Sequence, residues 1–454
     1  MNSIRRHKPI FGLAFGVHLF LVGCQESMDE LQPSQNPVDQ ALEAALTRAS
    51  GGIGPAYFEL PEQGLYDRLP QDPLNPITQD KVNLGKLLFH ETGIALAPLH
   101  TIGQGTFSCA SCHFADAGFQ ANRWQGIADG GSGASTGRVR NPQYSGDELD
   151  VQPIRSPATL NNAFQSNMLW NGQFGATGVN VGTESKWTED TPKEVNHLGF
   201  SGVESQAIAA MDVHRLVINR DIIDSLGYLQ LFDRAFIQIP ESERYSKITA
   251  GLAIAAFERT IVADLAPFQL WLKGYQDAMT EQQKRGAVLF FDKAGCASCH
   301  TGPALNSMAF YAYGMEDLHK CPEPVFKTSN FSVEHLGRGG FTGNPSDDYK
   351  FKVPQLYNLK DSPFYGHGSS FRSLREVVEY KNQGVPQLMT IPSHLIADEF
   401  KPLQLSEDEI DAIVDFLSNG LYDPLLRRYQ PETIPSGFCF PFNDPQSRID
   451  LGCD

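Results

Sequence analysis

Apolar residues recur at helical spacing in several segments and hardly anywhere alternate with the period of two that marks a half-buried strand. The spacing predicts helices over 78–90, 222–237, 247–265 and 281–291, with two more at 373–380 and 406–417. In the first of these, Leu84, Leu87 and Leu88 fall on one face. Ser406 followed by Asp408 and Glu409 is a good N-terminal capping signal. Long Gly- and Pro-rich loops separate the helices, notably 126–153 and 174–200. The fold class this pattern predicts is all-α.

Two identical pentapeptides change the picture: Cys109-Ala110-Ser111-Cys112-His113 and Cys296-Ala297-Ser298-Cys299-His300. Two thiols three positions apart can form thioethers to the two vinyl groups of one haem, and the next histidine falls beneath the iron. A zinc site would need further Cys or His pairs at ligand spacing, and none follows either copy. A redox dithiol would not call for histidine at the following position in both copies. Two covalently bound haem c groups are therefore expected, held by Cys109, Cys112, Cys296 and Cys299, with His113 and His300 as iron ligands. Each pentapeptide is preceded by an amphipathic helix, and a porphyrin supplies apolar core that lets such long loops stand.

The N-terminus agrees with haem attachment outside the cytoplasm. Met1 to Lys8 is basic, Pro9 to Val22 mostly apolar, and Leu21-Val22-Gly23-Cys24 looks like a lipobox. The apolar run is shorter than the ~20 residues a membrane span needs. Residues 1–23 are expected to be a lipoprotein signal peptide, with lipid on Cys24 as the only membrane contact. Residues 24–54 read as a flexible tether. The expected location is periplasmic or on the outer membrane. Of the eight cysteines, this leaves Cys321, Cys439 and Cys453. Cys439 and Cys453 are the natural disulfide pair in an oxidising compartment. Cys321 is then single, and its pairing with either of the others, or a place near the second haem, stays open.

Length divides the remaining chain into two domains with one pentapeptide each, 55–220 and 221–454, the second with a C-terminal extension. A net charge of −17 argues against nucleic acid and against an anionic membrane surface as partner, and permits a basic redox protein.

At several ordered stretches the chain resembles the bacterial di-haem cytochrome c peroxidases. They are Leu84-Gly85-Lys86-Leu87-Leu88-Phe89, then Ser156-Pro157-Ala158-Thr159-Leu160-Asn161-Asn162 leading to Leu169-Trp170-Asn171-Gly172, and Glu204-Ser205-Gln206-Ala207. Beyond the second pentapeptide come Lys352-Val353-Pro354-Gln355-Leu356-Tyr357-Asn358-Leu359, Ser362-Pro363-Phe364-Tyr365 and Leu374-Arg375-Glu376-Val377-Val378. The resemblance covers about residues 55 to 420 and implies two cytochrome c-like helical domains with haems facing a shared interface. It implies that the first haem reduces peroxide and the second accepts electrons and passes them on, with Trp170 between them. The plainer reading of Trp170 is a buried interface aromatic.

Some members of that family cap the first iron with a second histidine, but no His lies between His113 and His197, so a five-coordinate iron is expected. Gln206 matches the family's distal glutamine, whereas Leu216 stands where its glutamate is expected. A substitute is at hand in His214 as base and Arg215 as stabiliser of the departing hydroxide. The bland alternative makes both of them surface residues of a helix.

The second iron's sixth ligand falls where the peroxidases have methionine and this chain has Tyr380 and Lys381. A tyrosinate is used by the related di-haem enzyme that matures a tryptophan-derived quinone, and Met315, Met389 and His367 are further options. The family's interdomain calcium would have Asp361 and Pro363 as backbone ligands, but Arg155 stands where its asparagine is expected.

The activity implied is reduction of hydrogen peroxide to water with electrons from a small redox protein, such as a small cytochrome c. The alternatives are a peroxide-driven oxidase of an organic or protein substrate, and a non-catalytic electron carrier.

Overall fold

Thr78 opens the first long helix after the N-terminal segment by accepting a hydrogen bond from the Lys81 N–H at 3.3 Å. The helix that follows, Gln79–His90, buries Val82, Leu84, Leu88 and Phe89. In the computed structural model, which describes residues 36–453, it crosses helix Lys247–Arg259. Gly85 sits at the crossing, where a Cβ would lie 1.9 Å from the Ala253 carbonyl oxygen. Only glycine lets the two backbones approach so closely. Helix 247–259 is apolar nearly all round and buried along most of its length, because Gly202–Val213 packs on it as well.

A second lobe repeats this arrangement. Helix Glu281–Phe291, whose N-cap Thr280 accepts from the Gln283 N–H at 3.2 Å, crosses helix Glu407–Asp415. Here Gly286 is at the crossing, and its Cβ would lie 1.9 Å from the Ala412 carbonyl oxygen. Helix Leu374–Gln383 packs on 407–415, with both helices closed by serine caps, Ser373 and Ser406.

Among the described residues the strands are two short antiparallel pairs, Gly131–Ser132 with Val139–Arg140 and Phe310–Tyr311 with Phe351–Lys352. The chain is therefore mainly helical, and all-α is too strong a description. Among the described residues no helix is long and apolar enough to cross a membrane. The expected signal peptide and the lipidated Cys24 lie outside the described residues.

Several boundaries depart from expectation for identifiable reasons. The helix predicted over 222–237 is two, Arg220–Ser225 and Leu229–Ala235, interrupted at Gly227 with φ +83°. The helix predicted to reach 265 stops at Arg259, and a separate helix starts at Pro267, which holds Ala266 in extended backbone, ψ 145°. Asn161 satisfies the non-helical backbone between them. Its N–H donates to the Ile261 carbonyl at 2.8 Å, and its side-chain oxygen accepts from the Ala263 N–H at 3.1 Å.

The expected tether is corrected over its second half, where Pro37–Ala49 is a helix packed on 281–291. Its buried Asp39 takes hydrogen bonds from Trp271 Nε1 and Lys284 Nζ, both at 2.7 Å. Leu42, Ala45 and Leu46 give it a buried stripe that the polar composition of the surrounding segment concealed.

The packing also places the division between lobes differently from the expected boundary at 220. Helix 247–259 belongs with 79–90 and 202–213. The C-terminal extension does not stay with the second half: Phe442 bridges to Phe107, and Ser111 Oγ donates to the Pro441 carbonyl at 2.7 Å. Arg138 and Asp444 make a buried ion pair across this contact, at 3.1 Å. Cys439 and Cys453 form the expected disulfide. Cys321 is a free thiol 2.9 Å from a Glu323 carboxylate oxygen.

Candidate active site

Both pentapeptides fold as a tight turn in which the second cysteine's N–H donates to the first cysteine's carbonyl at 3.2 Å. Each histidine is then anchored the same way. His113 Nδ1 lies 3.3 Å from the Phe119 carbonyl, and His300 Nδ1 lies 3.0 Å from Leu305 and 3.1 Å from Pro354 carbonyls. A carbonyl accepts only from Nδ1–H, so the Nε2 lone pair of each ring is left free to ligate. Burial pushes both imidazoles down to about 4, so each is neutral at physiological pH. Burial also pushes the Cys109, Cys112 and Cys296 thiols up to about 12.

Each set faces its own cavity, of about 180 Å³ at Cys109, Cys112 and His113 and about 290 Å³ at Cys296, Cys299 and His300. The second cavity is lined mostly by apolar side chains together with Arg155, Lys352 and Lys381. Burial pulls both lysines down to about 7 and Arg155 down to about 10. An apolar slot with paired thiols, a neutral imidazole and buried cations fits a haem, whose plate is apolar and whose propionates are anionic.

Trp170 and Arg155 line both cavities. The Trp170 indole N–H donates to the Arg155 carbonyl at 2.7 Å, and the ring stands edge-on to His367 with centroids 6.3 Å apart. Arg155 donates through its backbone to the His367 carbonyl at 2.9 Å and through its guanidinium to Ser362 Oγ at 3.2 Å. Its Nε is buried with no partner. A guanidinium thus takes the place expected of a calcium ligand, and the residues do not fit calcium.

On the distal side the sequence expectation divides. Gln206 and His214 both line the first cavity, and Gln206 Oε1 is buried with no hydrogen-bond partner. His214 Nδ1 is 2.8 Å from Asp150. Burial pulls the His214 pKa down, but the Asp150 charge and hydrogen bond outweigh it and the net shift is upward. His214 is therefore better suited to carry a proton than to be the neutral base expected of it.

Arg215 is a correction: it is not among the residues lining the cavity, and its guanidinium pairs with buried Asp129 at 2.5 Å. The helix ends at Val213, and Arg215, at φ +56°, turns the chain away.

Glu258 was not anticipated. It lines the first cavity, is buried, and accepts a hydrogen bond from Asn162 Nδ2 at 3.2 Å. Burial raises its pKa to about 8. The available signal was an acid closing the apolar run Leu252–Phe257, which reads equally well as a helix-terminal charge.

Tyr380 is a second correction. Its hydroxyl donates to the Tyr313 carbonyl at 2.5 Å and accepts from the Gln387 N–H at 3.2 Å, and it does not line the second cavity. Lys381, one position further round the helix, does, with Nζ 3.1 Å from the Tyr313 ring centroid. Met315 and His367 also line this cavity, whereas Met389 is 75% exposed.

A family model for di-haem cytochrome c peroxidase matches residues 79–277. The chain is 27% identical over 405 residues to the cytochrome-c peroxidase IdrP1 of Denitromonas iodatirespirans, covering 85% of this chain and 93% of that one. It is 29% identical over 373 residues to the methylamine utilization protein MauG of Methylorubrum extorquens, covering 81% and 84%. Among solved structures, a MauG-like protein associated with microbial copper homeostasis shares the fold at a TM-score of 0.56 and 23% identity, over 81% of this chain and 96% of that one.

Proposed function

We propose, starting from the chain's membership of the di-haem cytochrome c peroxidase family, that it reduces hydrogen peroxide to water at the His113 cavity. The electrons come from a small redox protein, such as a small cytochrome c, and enter through the His300 cavity. The observation that carries this reading is the pair Gln206, whose Oε1 is buried without a partner, and buried Glu258, both in the same cavity as His113.

Two haem c groups, when bound, supply the iron that coordinates peroxide and the electron store for its reduction. The protein's part is to hold substrate and move one proton. Gln206 Oε1, with no partner of its own, accepts from a peroxide O–H and orients it. Glu258 titrates near the working pH, so its carboxylate can take the proton from the near oxygen and return it to the far one. His214, whose hold on a proton Asp150 strengthens, can place positive charge where hydroxide departs. Trp170, in the wall common to both cavities, shortens the electron's path between them.

For the second iron, Lys381 replaces Tyr380 as the protein ligand this reading favours, because its amine lines the cavity and burial brings its free-base form within reach near pH 7. Arg155 stands in for the interdomain cation. The signal and lipobox at Cys24 make the protein an exported lipoprotein, periplasmic or on the outer membrane, tethered through lipid alone.

The test is peroxide turnover of the purified di-haem protein with reduced small cytochrome c, run beside a panel of organic donors. Turnover with cytochrome c is the expected result. Turnover with organic donors alone would replace this reading by the peroxide-driven oxidase, and no turnover with either would leave an electron carrier.

A further inference from the structure

At the wall of the cavity that holds the second pentapeptide, which Asp317 and His335 help to line, three side chains from two loops converge. Asp317 and His319 lie at the turn Leu318–Lys320, and His335 lies in the turn Val333–Leu336. Each offers one ligand atom, and the three atoms lie within 4.8 Å of one another. Asp317 and His335 are buried, at 5% and 6% exposure. The two imidazole rings stack with centroids 4.7 Å apart.

Hydrogen bonding within the cluster does not account for it. His319 Nδ1 is buried with no partner, which costs about 1–3 kcal/mol if nothing fills the need. Asp317 Oδ2 and His335 Nδ1 are 3.9 Å apart, too far for a hydrogen bond. The other carboxylate oxygen, Oδ1, is held by His367 Nε2 at 2.9 Å, which fixes the carboxylate as an outer-sphere partner does in a metal site.

We propose that Asp317, His319 and His335 bind a divalent first-row transition-metal ion of the zinc and copper(II) type. Two imidazole nitrogens with one carboxylate oxygen select such borderline ions over calcium or magnesium, which take oxygen ligands. Three protein ligands leave the remaining position to water. Ligand atoms around such an ion lie roughly 3.3 Å apart at bonds of about 2.0–2.1 Å. The partly exposed His319 loop has only to close a small gap. None of the three is a candidate iron ligand, although Asp317 and His335 share the wall of the His300 cavity.

Zinc is the probe for the experiment. Full-length, haem-loaded protein without a histidine tag is stripped with chelator, dialysed against zinc sulfate and analysed for zinc and iron. The expected result is about one zinc per chain beyond the haem iron, with X-ray absorption at the zinc edge showing imidazole scattering at about 2.0–2.1 Å. His319→Ala, at the most exposed of the three positions, should weaken zinc binding more than about 100-fold, beyond the range of an outer-sphere change, while haem content and spectrum stay intact. Asp317→Asn should do the same, and His319→Ala alone decides the matter if that variant loses haem. Failure to retain zinc, or zinc retained equally by wild type and His319→Ala, would overturn the site.

Discussion

Glu258 has the most to lose from a single atom's change. Its folded pKa of about 8 lies above the ordinary carboxyl value of 4.5, so between those pH values the folded chain holds a proton that the unfolded chain has released. Stability should therefore fall as pH rises through that window, and Glu258→Gln should flatten the fall, read as melting temperature against pH. The shuttle needs the carboxylate form to begin, so peroxide cleavage in the wild type should rise with pH towards about 8. Glu258→Gln should cut that rate by about 10²–10⁴-fold and remove the rise, with His214→Ala costing less. An unchanged rate in Glu258→Gln would move the proton transfer elsewhere. Trp170→Phe should leave peroxide binding intact and lengthen the life of the oxidised state before the second haem refills it, which stopped-flow absorbance would follow. At this scale the candidate iron ligands His113 and His300 could be named from the spacing of the pentapeptides alone. Which of Tyr380 and Lys381 lines the second cavity was not legible, since adjacent helical residues face some 100° apart and only packing says which faces inward. Arg215 failed for a similar reason: no glycine marks the left-handed turn that carries it off.

Two helix crossings share one device. Gly85 against Ala253 and Gly286 against Ala412 each bring a backbone to within a methyl group's width of its neighbour, one crossing beside each haem cavity. A Cβ 1.9 Å from a carbonyl oxygen cannot be accommodated without moving a helix. Gly85→Ala and Gly286→Ala should each destabilise by at least the ~1–3 kcal/mol typical of overpacking. They should differ in where: the first should disturb the spectrum of the His113 haem, the second that of the His300 haem, measurable by reductive titration. Helices 79–90 and 281–291 were readable from apolar spacing, and so was their place ahead of each pentapeptide. What remained hidden was that 37–49 is a helix. Its buried stripe is short, and its anchor is the pairing of Asp39 with Trp271 and Lys284, more than two hundred residues away.

The molecule as a whole is closed by its own tail. Residues 439–444 lie against the first pentapeptide, and Arg138 with Asp444 forms a pair at 1% and 5% side-chain exposure. Asp444→Asn leaves that guanidinium without its charge partner, which should cost about 3–5 kcal/mol, seen as a lower melting temperature and a looser His113 site with the His300 site unaffected. Sequence could not announce this contact, because nothing in the composition of a segment names a distant partner. The duplicated pentapeptide suggested two domains, whereas the packing joins segments from both ends of the chain across that division. This has a consequence for how the protein is made. Ser111 and Pro441 are 330 residues apart, so at about 5–20 residues per second the first pair of thiols exists roughly 15–65 s before the segment that covers it. Until that segment docks, Cys109 and Cys112 therefore have an open window for haem attachment, while the second pair is closed by helices that follow it far more closely. A chain stopped short of Pro441 should keep that first window open, and should be found carrying haem at a site it can never seal.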